Sequence, residues 1–122
     1  MSIRMTVQRL HITPRFSEVA ISGNLVHLAG QLASDLSLDI KGQTQQTFDI
    51  IDQFLKDAGT DKSHIMSVTI YLKDIEKDYA AFNEVWDAWV ADIQALPRTC
   101  VEARLYRPDV LVELTVVAVK PV

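Results

Sequence analysis

Two charges in this chain stand where charges are costly. Glu113 lies in the middle of Val110–Val119, a run otherwise built of apolar residues and one threonine. Arg98 stands at the mouth of Pro97-Arg98-Thr99-Cys100-Val101-Glu102. Both runs are rich in β-branched residues and read as strands, with the turn signal Arg107-Pro108-Asp109 between them. A charge inside a strand is expensive if buried and unpaired, so Glu113 needs solvent, a partner or a task. A guanidinium grips a carboxylate through two parallel hydrogen bonds. A carboxylate beside a cleft can hold water and move its protons. The plainer readings are a solvated or salt-bridged Arg98, and a Glu113 that answers an arginine across an interface.

The other reactive residue types point to no chemistry by themselves. Cys100 is the one cysteine, and a buried cysteine usually behaves as a small hydrophobe. His11, His27 and His64 have no ligand spacing. Asp74-Ile75-Glu76-Lys77-Asp78 looks superficially like a calcium loop, but the glycine and the closing glutamate of that motif are missing. Gly30-Gln31 lacks the glycine-rich run of a phosphate loop. A glycine there implies a positive φ or a close approach to the backbone.

The elements that must position these residues follow from periodicity. Met5–Ile12 is expected to be an edge strand, followed by strands at Phe16–Ile21 and Leu25–Ala29 joined by a Ser22-Gly23-Asn24 turn. Leu32–Gly42 is expected to be a polar loop. Thr44–Ala58 carries Phe48, Ile51, Phe54, Leu55 and Ala58 at helical spacing, with Gly59 as its stop. Ser63–Lys73 reads as a strand with Met66, Val68, Ile70 and Leu72 on one face. Asp74–Asp78 is placed to cap a second helix, Tyr79–Ile93, whose stripe is Tyr79, Phe82, Val85, Trp86, Trp89 and Val90. The order is β-β-β-α-β-α-β-β. Two helices cover one face of a six-stranded sheet. The other face of the last strand, with Leu111, Glu113, Thr115, Val117 and Val119, would be an apolar patch. Face-to-face packing of identical chains, with a cleft near the boundary, is the economical solution.

The totals suit such a domain. A chain of 122 residues with 48% hydrophobic and 23% charged residues reads as one globular domain spanning 1–122. The lone cysteine, together with the lack of a leader or a membrane-length apolar run, leads to the expectation of a cytoplasmic protein. A net charge of −4 argues against a large nucleic-acid footprint, but leaves room for a small basic patch.

Several segments together resemble the Rid family of imine/enamine deaminases, also called the YjgF or L-PSP family. They are Ser22-Gly23-Asn24 with Ala29-Gly30-Gln31, Gln46-Thr47, Val68-Thr69-Ile70-Tyr71-Leu72-Lys73-Asp74, Phe82-Asn83-Glu84-Val85-Trp86, and above all Pro97-Arg98-Thr99-Cys100-Val101-Glu102-Ala103 with Val112-Glu113-Leu114. The resemblance covers nearly the whole chain and is nearest to the YoaB-like branch. It implies a chorismate-mutase-like α+β fold, with a six-stranded mostly antiparallel sheet and two helices on one face. It further implies a homotrimer with its sites between subunits, and cofactor-free hydrolysis of 2-imino or enamine acids such as 2-aminoacrylate. By position, Arg98 would hold the substrate carboxylate and Glu113 the water, with Phe16, Gly30, Asn83 and the Cys100 backbone lining the pocket. The chain departs from the RidA branch at Phe16, where that branch has tyrosine, and at Thr115, where it has a second glutamate. Two other functions compete with the deaminase. One is a trimer that only binds a small carboxylate metabolite. The other, against which the acidic balance weighs, is an endoribonuclease or translation inhibitor.

Overall fold

The computed structural model describes residues 6–121, and the Met5 expected to open the first strand lies outside that range. The chain begins with three antiparallel strands, β1 (Gln8–Ile12), β2 (Ser17–Ser22) and β3 (Leu25–Gln31). Gly23 has φ 60° and takes the first place of the two-residue turn between paired Ser22 and Leu25, as a tight hairpin requires.

Helix α1 runs from Ile40 to Asp57. It starts inside the segment expected to be a loop, because the Asp39 side chain accepts a hydrogen bond from the Gly42 N–H at 2.9 Å and supplies an earlier cap. Gly59, at φ 86°, ends it. The Thr60 N–H bonds back to the Leu55 carbonyl at 2.9 Å and the Gly59 N–H to the Lys56 carbonyl at 3.0 Å. A short 3₁₀ turn leads into β4 (Ile65–Leu72). Helix α2 spans Ile75–Trp89, capped by Asp74, so the acidic stretch lies mostly inside the helix rather than before it. Strands β5 (Arg98–Glu102) and β6 (Val112–Val119) complete the chain.

The sheet order is β1-β2-β3-β6-β4-β5. Every pairing is antiparallel except β4 with β5. The last strand therefore sits in the middle, and the segment from Ala103 to Leu111 crosses the end of β4 instead of forming a hairpin. Gln43, fully buried in α1, pins that crossing. Its side-chain amide donates to the Asp109 carbonyl at 2.9 Å and accepts from the Leu111 N–H at 3.0 Å.

Both helices lie on one face. Val112, Leu114, Val116 and Ala118 of β6 are buried beneath them with Val68, Ile70 and Leu72 of β4. Phe48 of α1 stacks on Trp89 of α2 at 4.2 Å, with Phe82 and Trp86 alongside. One expected core position is overturned: Met66 is 56% exposed while Ile65 is buried. The register with β6 shifts between Ile65 and Ser67, and a bulge there reverses which side chains face inward. Among the described residues, no helix is long and apolar enough to cross a membrane.

Candidate active site

Sheet alternation decides where each candidate residue points. In β5, Arg98 pairs with Val68 and Cys100 with Ile70. Paired residues share a face, so Arg98 and Cys100 lie on the side the helices cover. In β6, Glu113 pairs with Tyr71, and its neighbours Val112 and Leu114 are the ones that point to the core. Glu113 therefore lies on the bare face. Ordinary strand spacings put the two Cα atoms roughly 10 Å apart across the sheet and roughly 10 Å apart along it. Among the described residues of one chain, the guanidinium and the carboxylate lie on opposite faces of the sheet.

The arginine half is closely supported. Tyr79 and Asn83, four residues apart, lie on one side of α2. The Arg98 guanidinium donates through Nη2 to Asn83 Oδ1 at 2.8 Å and to the Tyr79 hydroxyl at 3.2 Å. It lies 4.9 Å from the Trp86 ring and 5.8 Å from Phe82 and from Tyr79. Its Nη1 is buried with no hydrogen-bond partner, and among the described residues no carboxylate pairs with it. A cavity of about 540 Å³ opens here, lined by Ile75, Glu76, Tyr79, Arg98 and Cys100.

Cys100 contributes its backbone. The Val68 N–H bonds to the Pro97 carbonyl and the Ala103 N–H to the Leu72 carbonyl. Parallel pairing thus uses alternate residues of β5, and the polar backbone of Arg98, Cys100 and Glu102 faces away from β4 at the sheet edge. Burial pushes the Cys100 thiol pKa up, and the nearby Arg98 charge opposes the rise only in part. The thiol is a poor nucleophile.

The glutamate half is defined by absence. Among the described residues, no hydrogen bond or ion pair reaches the Glu113 carboxylate, which is half-buried. Burial alone raises its pKa above the ordinary glutamate value. Its nearest constraint is Gly30. A Cβ at residue 30 would sit 2.8 Å from Glu113 Oε2 and 3.0 Å from its Cδ. Gly30 has no positive φ, so of the two reasons for a glycine here, close approach is the operative one. Phe16, half exposed, lines a mostly apolar cavity of about 450 Å³ with Gly30, Leu32, Ile50 and Phe54.

The expected residues thus fall into two groups: Arg98, Asn83 and Cys100 by α2, and Glu113, Gly30 and Phe16 by β3. Sequence reasoning missed Tyr79 as a site residue, because it falls in the apolar stripe of α2. Its spacing of four from Asn83 was the available signal.

A family model described as "Endoribonuclease L-PSP" matches residues 6–120. The chain is 44% identical to a RutC family protein of Haemophilus ducreyi, over 92% of this chain and 95% of that one. It is 39% identical to the RutC family protein YoaB of Escherichia coli, over 93% and 98%. It superposes on a member of the YjgF protein family from Neisseria meningitidis with a TM-score of 0.92 at 40% identity, covering 97% of this chain and 98% of the other.

Proposed function

The chain belongs to the endoribonuclease L-PSP family, the group of the YjgF and RutC proteins, and from that premise we propose that it hydrolyses 2-imino acids to 2-keto acids and ammonia at sites completed between subunits. What supports the reading most is Arg98, a guanidinium with no carboxylate partner among the described residues, held at the wall of an open cavity. Such a group is built for an anion brought from outside.

The chemistry follows from the two halves. The substrate carboxylate docks on Arg98 and on the outward backbone N–H of Cys100. Charge-assisted hydrogen bonds of this kind contribute about 1.5–3 kcal/mol each. The electrophilic C2 then faces the neighbouring subunit, whose Glu113 holds a water. As the water oxygen bonds to C2, Glu113 accepts its proton. Glu113 returns that proton to the nitrogen, leaving a neutral carbinolamine. It then takes the hydroxyl proton and passes it to the same nitrogen, so that the C–N bond breaks and ammonia leaves as the C=O forms. A carboxylate of raised pKa is a better proton acceptor than an exposed one. Imine hydrolysis is intrinsically easy, so one positioned acid–base and one anchor are enough, and the reaction needs no cofactor.

Arg98 and Glu113 diverge within a chain, so this mechanism requires association. A homotrimer closing over the bare sheet faces would bring the Arg98 side of one subunit to the Glu113 side of the next, three times over. A trimer that merely binds a small carboxylate is the second reading, and the lack of a hydroxyl at Phe16 favours it. Imines generated in place by an amino-acid oxidase separate the two. The wild type should speed keto-acid release, Arg98→Ala should raise KM at least about tenfold, and Glu113→Ala should lose turnover while still binding a keto acid. Keto-acid release by the wild type no faster than the uncatalysed rate, on every imine tried, would sink the deaminase.

A further inference from the structure

The segment crossing from β5 to β6 is locally basic in an acidic chain. Lys73, Arg104, Leu105, Tyr106, Arg107 and Pro108 line a cavity of about 240 Å³ that shares no lining residue with the Arg98 cavity. The Lys73 ammonium donates to the Pro108 carbonyl at 2.5 Å, a contact that orients the charge without cancelling it. Arg107 grips Asp109 through Nε and Nη2 at 3.1 Å each, which fixes its plane and leaves Nη1 outside the pair. Arg104 is exposed and makes no ion pair among the described residues. Three cations thus line the cavity, one of them, Arg107, paired with Asp109, in a chain whose net charge is −4. Tyr106 stands beside them 71% exposed. Gln43, Lys73 and the Arg107–Asp109 pair hold the crossing, whereas the Tyr106 ring and the Arg104 charge make no side-chain hydrogen bond or ion pair among the described residues.

We propose that this crossing binds a phosphate carried by a flat ring, the chemistry shared by a nucleoside monophosphate and the end of a single-stranded RNA. The phosphate would enter between Arg104 and Lys73, against the fixed plane of Arg107, and the base would stack on Tyr106. The cavity is smaller than the roughly 300–1,000 Å³ of a typical small-molecule site. It suits the phosphate and leaves the ring outside, where Tyr106 is. Whether the imine chemistry above is right has no bearing on this site.

The test uses the full chain at low salt, titrated with inorganic phosphate, adenosine monophosphate and a labelled six-nucleotide RNA. Adenosine monophosphate is expected to bind about tenfold or more tightly than phosphate. Arg104→Glu should weaken all three ligands by at least about tenfold, and Tyr106→Ala should bring the nucleotide down to the level of phosphate. Both side chains are exposed, so neither change threatens the fold, and imine hydrolysis should be unaffected. Tighter binding of the RNA than of the mononucleotide identifies a strand as the source, and equal binding identifies the free nucleotide. No saturable binding of any ligand, or binding that survives both substitutions unchanged, overturns the proposal.

Discussion

The surroundings of Arg98 and of Glu113 are built in opposite ways. Arg98 is held by partners: two hydrogen bonds from Nη2, an aromatic ring at 4.9 Å, and a helix that supplies Tyr79 and Asn83 from successive turns. Among the described residues, Glu113 is held by none. Its carboxylate lies against a glycine backbone, on a face that no helix covers. The first arrangement presents a fixed charge to an incoming anion. The second leaves a carboxylate half-desolvated and free to take a proton. A binding group gains when its geometry is fixed before the ligand arrives, whereas a general base gains when its pKa is raised. The contrast teaches that the two residues sit in unlike surroundings on opposite faces, one a braced charge and the other a half-buried acid with no partner among the described residues.

The largest effect should come from removing the base. Glu113→Gln is expected to lower kcat by ~10²–10⁴-fold with little change in KM. In the wild type, kcat should fall as pH drops through the raised Glu113 pKa, because only the carboxylate accepts a proton from water. The stability effect has the opposite sense. The folded chain keeps this proton to higher pH than the unfolded chain, so the Glu113 contribution becomes less favourable as pH rises through that window. Glu113→Gln should remove that part of the pH dependence in a denaturation series.

Complementation addresses the division directly. Arg98→Ala and Glu113→Ala chains, assayed at substrate well below the raised KM so that each alone is nearly silent, should regain roughly a quarter of wild-type activity when unfolded together and reassembled in equal amounts, if each site draws one half from each of two subunits. A mixture that stays inactive would place both halves in one subunit and break the comparison.

Smaller perturbations sharpen it. Gly30→Ala inserts a methyl group where the Glu113 carboxylate now lies, and the far end of that side chain must move. We expect about a tenfold loss in kcat and a melting temperature within a few degrees of wild type. Tyr79→Phe removes one acceptor from Arg98 Nη2 and leaves the ring. Its effect should be the least, a change of about threefold in KM with kcat retained.

Much of the fold is legible from residue patterns. The hairpin at Gly23, the stop at Gly59 and the apolar stripes of both helices follow from local chemistry and stand where expected, except that Tyr79 of the second stripe is exposed and bonds Arg98. The start of α1 escapes the apolar periodicity, because Asp39 caps the helix from within a polar stretch. Met66 and Ile65 exchange the faces that alternation assigns them, because a bulge breaks the pattern without any glycine or proline to mark it. Gln43 is invisible as a core residue, since only the folded chain brings the Leu36–Asp39 turn and the Asp109–Leu111 crossing against it.

Residue type and alternation were enough to single out Arg98 and Glu113, because those properties are local to a strand, but they left Gly30 open between a positive φ and a close approach, which the structure decides for the latter. Strand order could not be read that way. It depends on which distant segments pair, and here β6 pairs between β3 and β4 while β5 is left at the edge. That order, settled by long-range packing beneath two helices, turns the arginine to one face and the glutamate to the other.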